Sequence, residues 1–182
     1  MRTRVLGTVV VVASLALSVS AAHGAVAMYL EVPGVPSLLG ESAANGHQDQ
    51  IDVRSYSWGV TKPTSATSTK PAFNNVTVDK NIDRASPALL EAVAGGTTFS
   101  SAKLHVVRQI DPPIEFLTYC FTGVKFTSVQ DKGEEEASEA LSWTYQTVVE
   151  KYRQQDSTGA PTGTFTGGWD LVRNLQFGGA CS

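Results

Sequence analysis

The sequence predicts a mainly β protein, antiparallel in its pairing, with one short flanking α-helix. Apolar residues recur with a period of two through most of the chain, the repeat of a strand with one buried face. The interruptions are clusters of Gly, Pro, Asn and Ser, which punctuate strands. Only one segment carries both a helix-start and a helix-stop signal. At 182 residues the chain suits one domain of ordinary size and is too short for two comfortable ones.

The first segment stands apart from this pattern. Arg2 and Arg4 precede an apolar run from Val5 to Val19, and small residues gather at Ser20, Ala21 and Ala22. That order is a secretory signal peptide, assigned to residues 1–24 with the cleaved bond between 21 and 27. An apolar run of about 15 residues falls short of the roughly 20 that span a bilayer, and no later segment of the sequence could do so. Cleavage leaves 12 Lys+Arg against 17 Asp+Glu. The expected product is a mildly acidic protein outside the cytoplasm, secreted or periplasmic, with a domain over 25–174 and a flexible tail over 175–182.

Strands are expected at Met28–Val32, Ile51–Val60, Phe73–Val78, Lys103–Gln109, Ile114–Val129 with a bend at Gly123, and Leu141–Arg153. In the last of these Leu141, Trp143 and Tyr145 alternate with Ser142, Thr144 and Gln146, the pattern of a half-buried antiparallel strand. The helix is placed at Pro87–Ala94. Ser86 supplies an N-cap oxygen, Pro87 suits the first helical position, and Gly95 and Gly96 can end the helix in a left-handed conformation. Leu89, Leu90 and Val93 are expected on its packed side. Loops fall at Pro33–Gln50, Thr61–Ala72, Gln130–Ser138 and Gln155–Gly168, and no repeat is present.

Composition narrows the function. Hydrophobic residues make up 42% and charged residues 17% of the chain, which excludes a disordered polymer. With 14 Lys+Arg against 17 Asp+Glu there is no cationic surplus to neutralise phosphates, so no nucleic-acid partner is expected. His23 leaves with the leader, and any imidazole chemistry falls to His47 and His105. His105 lies mid-strand and reads as a structural histidine, and His47 sits in a loop with Asp49 two residues on. Neither His-x-x-x-His nor Cys-x-x-Cys occurs, so no metal site is expected. Gly-x-Ser-x-Gly and the phosphate-cradling glycine motifs are absent too, so no catalytic residues and no cofactor are expected. Glu134, Glu135 and Glu136 read as a solvated turn.

The cysteines Cys120 and Cys181 change chemistry with compartment. An even count in an exported chain favours a bridge, the alternative being two unpaired thiols. Cys120 shares the polar face of its strand with Thr118 and Thr122, and Cys181 sits on a glycine-bearing tail that can reach it. Closing a loop of that length stabilises by about 4 kcal/mol on the chain-entropy model.

Several segments, taken in order, resemble the haemolysin-coregulated protein (Hcp) family, the inner-tube proteins of bacterial type VI secretion systems. Ala25 to Leu30 with Gly34 is similar to the family's opening strand. Gly40 to Ser42, then His47, Asp49, Ile51 and Val53, then Ser55, Trp58 and Val60 continue the match. The most distinctive stretch runs from Val78 to Lys80 through Asp83, Ser86, Pro87 and Leu90 to Ala94 and Gly95. Lys103 and Leu104, Glu115 to Leu117, Glu150 to Tyr152, Gln155 and Asp156, and Gly167 to Asn174 follow in register, so the resemblance covers Ala25 to Asn174. It implies a small antiparallel β-barrel of two sheets with one flanking α-helix, a homo-oligomeric ring able to stack into a tube, no enzyme activity, and secretion-apparatus or effector proteins as partners. The leader and the cysteine pair depart from the family, whose members leave the cell through their own contractile machine. The alternative is a free-standing secreted binding module on the same fold.

Overall fold

The computed structural model describes residues 24–64, 70–133 and 137–181. The leader, apart from Gly24, and the acidic run Glu134–Glu136 lie outside the described residues. Among the described residues eleven strands form: β1 (Val26–Glu31), β2 (Ile51–Ser57), β3 (Val60–Thr61), β4 (Ala72–Phe73), β5 (Val76–Asn81), β6 (Thr98–Arg108), β7 (Ile114–Lys132), β8 (Ser138–Thr144), β9 (Thr147–Gln155), β10 (Pro161–Asp170) and β11 (Leu175–Gln176). The helix α1 (Ser86–Gly95) stands between β5 and β6, and a 3-10 turn occupies Pro36–Leu38.

Strand β7 pairs with β6 along one edge and with both β8 and β9 along the other, and β8 also pairs with β5. The run β7-β6-β1-β2-β5-β8 therefore returns to its starting strand and closes as a six-stranded antiparallel barrel. Strands β9, β10 and β11 continue from β7 as a wing outside the closure, and β3 and β4 form a separate two-stranded ribbon. Closure removes the edges that would otherwise invite pairing with other chains, while the wing keeps one.

The barrel is filled by Leu30, Ile51, Val76, Val78, Leu104, Phe121, Phe126, Leu141 and Trp143, all essentially inaccessible to water. Trp143 meets the rings of Phe121 and Phe126 edge-on at 5.8 and 5.9 Å, the geometry that aromatic quadrupoles favour. Lys80 is also fully buried. Its ammonium donates to Glu139 Oε1 (3.1 Å), Ser86 Oγ (3.0 Å) and the Asn81 carbonyl (2.8 Å), and stands 3.0 Å from Asp83 Oδ1. These partners keep a desolvated charge tolerable, and they tie the start of α1 to β5 and β8.

Several sequence expectations require correction. Leu141–Arg153 is not one strand. Thr122 pairs with Thr147 and Lys125 with Thr144 on either side of Gly123, and the break at Tyr145 and Gln146 lets β8 turn to β5 while β9 carries the wing. Gly123 adopts φ +59, so the bend expected there is a left-handed residue inside β7. The expected loop Gln155–Gly168 is largely β10, and β6 starts at Thr98, five residues before the expected Lys103. Ser86 is not the N-cap. Ala85 holds that place with no side-chain cap, and the Ser86 hydroxyl instead serves Lys80 and the Asp83 amide. On α1, Leu89 and Ala92 face the core while Leu90 is 60% exposed. At the other end Gly96 takes φ +64, as the glycine pair led one to expect.

Candidate functional site

Three features lie outside the barrel core. The first is the wing. Phe165 on β10 is directly opposite Tyr152 on β9, and the two side chains are 59% and 42% exposed. Such cross-strand aromatic pairs normally stabilise a sheet by covering each other and being covered in turn. Beyond them β11 pairs only with Trp169 and Asp170, so the outer edge of β10 from Pro161 to Gly167 has no ladder partner among the described residues. Leu39, just after the 3-10 turn, and Leu90, on α1, are also exposed apolar groups.

The second feature is the bridge between Cys120 and Cys181, whose Cα atoms are 5.5 Å apart. Cys120 is in the middle of β7, opposite Lys103 on β6 and Val149 on β9. Its neighbours Tyr119 and Phe121 point into the core, so alternation sends the sulfur to the outer face. Of the segment 175–182, read from the sequence as a flexible tail, the described residues 175–181 are held at several points. Leu175 and Gln176 pair with β10, the Phe177 amide donates to the Gly168 carbonyl (3.0 Å), and Lys151 Nζ donates to the Cys181 carbonyl (3.3 Å). The bridge thus clips the end of the chain across β7, β9 and β10.

The third feature is a histidine–glutamate cluster. His105 on β6 sits between two carboxylates, with Nδ1 2.7 Å from Glu115 Oε2 and Nε2 3.3 Å from Glu31 Oε2. Register explains the meeting: His105 is opposite Tyr29 on β1 and Thr118 on β7, next to the strand ends that carry the two glutamates. His47, from the loop before β2, stacks on Tyr29 with ring centroids 4.3 Å apart and stands 5.1 Å from the His105 ring. Its Nδ1 donates to Gln50 Oε1 at 2.8 Å. Burial alone would raise the Glu115 carboxyl, but hydrogen bonds from His105 and Thr118, with the charges of His105 and Lys151, outweigh it and hold its pKa at about 2. Glu115 is therefore an anion at neutral pH.

His105 is a mid-strand imidazole with a carboxylate beside each ring nitrogen. His47 does not work with Asp49, which pairs instead with Arg84. Glu31 and Gln50 were not singled out by sequence reasoning, and Glu115 entered only as part of the family resemblance. No spacing rule links positions 31, 47, 105 and 115, and only the β1-β6-β7 register brings them together.

Comparison with known proteins places the fold. The family described as "Type VI secretion system effector, Hcp" matches residues 29–152. The crystal structure of Hcp1 from Salmonella typhimurium superposes with a TM-score of 0.71 at 28% identity, over 84% of this chain and 99% of that one. The structure of a type six secretion system protein reaches a TM-score of 0.77 at 26% identity, over 84% and 100% of the two chains. A type VI secretion system effector from Yersinia pestis gives 0.65 at 25% identity, over 79% and 98%. Among curated proteins none matches by sequence. The closed barrel, its flanking helix and the family match over most of the described domain agree, and this chain belongs to the type VI secretion system Hcp family.

Proposed function

We propose that the chain is a tube-type structural protein, not an enzyme, that assembles into closed homo-oligomeric rings and is exported through its leader. The observation that carries this reading is the wing. A closed barrel has no need of exposed aromatics, yet Tyr152 and Phe165 face water beside an unpaired strand edge. An apolar surface next to a free edge marks a protein contact. Repeating one heterologous contact, from this wing to a different surface of the next copy, gives a ring when its rotation closes and a filament when it does not. The family relation favours closure. Secretion-apparatus or effector proteins are the further partners this reading implies.

Light scattering coupled to size exclusion, on the oxidised chain over a wide concentration range, tests the assembly. One discrete multiple of the protomer mass is expected, and Phe165→Glu should reduce it to the monomer. A strictly monomeric wild type at high concentration removes the ring. Intact-mass analysis of exported material tests the route, with loss of residues up to a bond between 21 and 27 expected and a full-length cytosolic chain opposing it.

One observation favours a second reading, a free-standing secreted binding module. A groove of about 500 Å³ runs between Val60, Lys62, Pro71, Phe73, Trp169 and Asn174, beside the β3-β4 ribbon. A monomeric chain that nonetheless binds a partner protein through this groove would support it.

A further inference from the structure

We propose that His47, His105 and Glu115 form a binding site for a divalent transition-metal cation of the zinc class. One donor atom from each of the three lies within 4.8 Å of the others. Two imidazoles and one carboxylate are a donor set that borderline cations such as zinc take, with a fourth position left for water. Ligands at about 2.0–2.2 Å from such an ion stand about 3.3 Å apart in a tetrahedron, so the widest separation closes by up to about 1.5 Å while the 2.7 Å between His105 Nδ1 and Glu115 Oε2 opens by about 0.6 Å.

The surroundings prepare these atoms. The oxygen of Gln50 can only accept, so His47 Nδ1 carries the proton and Nε2 keeps its lone pair for a cation. Stacking on Tyr29, with the ring planes 8° apart, fixes the plane of that imidazole. At His105, Glu31 accepts at Nε2 and Glu115 Oε2 faces Nδ1. A carboxylate behind a histidine orients the ring and raises its donor strength, the arrangement common around zinc. The remaining Glu115 oxygen accepts from the Thr118 hydroxyl. When the cation enters between His105 Nδ1 and Glu115 Oε2, the proton now between them leaves to water.

Access is open. His47 and Glu115 line a groove of about 360 Å³ together with Tyr29, Asn45, Gln109 and Arg153. His105 is the buried member of the trio and lies behind Glu115, 2.7 Å from its Oε2. Lys103 at 4.0 Å from Glu31, Lys151 and Arg153 supply opposing positive charge, so the two carboxylates make the cluster receptive without making it a general cation sink.

The test uses the untagged, disulfide-intact chain, stripped with chelator and titrated calorimetrically with zinc chloride. Cobalt chloride serves as the spectroscopic probe. One saturable zinc per chain and a tetrahedral cobalt visible spectrum are expected. Both should weaken at least about tenfold in His47→Ala and Glu115→Gln, and by about tenfold in Gln50→Ala, which removes no ligand. Asp79→Asn, a surface carboxylate far along β5, should bind as wild type. Absence of saturable binding by the wild type, or equal binding by His47→Ala, Glu115→Gln and wild type, overturns the site. If Glu115→Gln fails to fold by circular dichroism, His47→Ala and Gln50→Ala decide, since both lie in the loop and not in the barrel.

Discussion

A Cβ atom on Gly123 would lie 2.5 Å from Gln146 Cδ, so the bend in β7 and the β8-β9 junction occupy the same space. Gly123 also holds φ +59, which an L side chain adopts only at a cost. On one side of this contact the chain closes the barrel, and on the other it builds the wing.

Gly123→Ala should therefore destabilise the fold by about 1–3 kcal/mol, from backbone strain plus displacement of Gln146. Adding Gln146→Ala relieves the steric part and leaves the strain. Urea unfolding of both variants measures the split, and an unchanged midpoint for Gly123→Ala would show that the bend does not depend on glycine.

The Cys120–Cys181 bridge spans 61 residues of sequence, and the chain-entropy model gives it about 4 kcal/mol. Reduction, or Cys181→Ser, should lower stability by about 2–4 kcal/mol and free the tail from β9. Peptide mapping without reductant should recover the linked pair. Two alkylatable thiols in freshly exported protein would refute it.

Lys80→Met removes a buried cation and leaves Glu139 and Asp83 facing each other without it, a loss of about 3–5 kcal/mol. Replacing Glu139 as well, in Lys80→Met with Glu139→Leu, should restore part of that loss, because an apolar pair needs no counter-charge. Chemical denaturation of the single and double variants reports the coupling. Additive losses would mean that the two groups act independently.

Tyr119 and Tyr145 should ionise late. Burial is the main cause for both. The hydrogen bond with Tyr56 adds to it at Tyr119, and at Tyr145 donation from the Trp58 indole opposes it without cancelling it. A phenol whose folded pKa lies above the unfolded value of about 10 stabilises the fold fully below that pH. The contribution is lost as pH rises through the folded value. Ultraviolet titration should show these two phenolates forming only as the protein unfolds in alkali, and Tyr145→Phe should remove one late step. Complete ionisation near pH 10 with the fold intact would contradict this.

The alternation of Leu141, Trp143 and Tyr145, the glycines after α1, the bend at Gly123 and the placement of Cys120 on an outward face were all legible in the sequence. Each is set by the backbone of a few adjacent residues: side chains alternate along a strand, and glycine takes positive φ. Strand β10 was not legible, because Thr162, Gly163, Thr164, Gly167 and Gly168 have no apolar period, and its ladder is supplied by the edge of β9. Ser86 was misplaced for a related reason. Its hydroxyl has a local use as a cap and a better one beside a buried ammonium that arrives from another strand. The meeting of Glu31, His47, His105 and Glu115 depends on which strands pair and in what register. Register is decided by burying one face of every strand in a common core, an energy that belongs to the closed barrel and to no single segment.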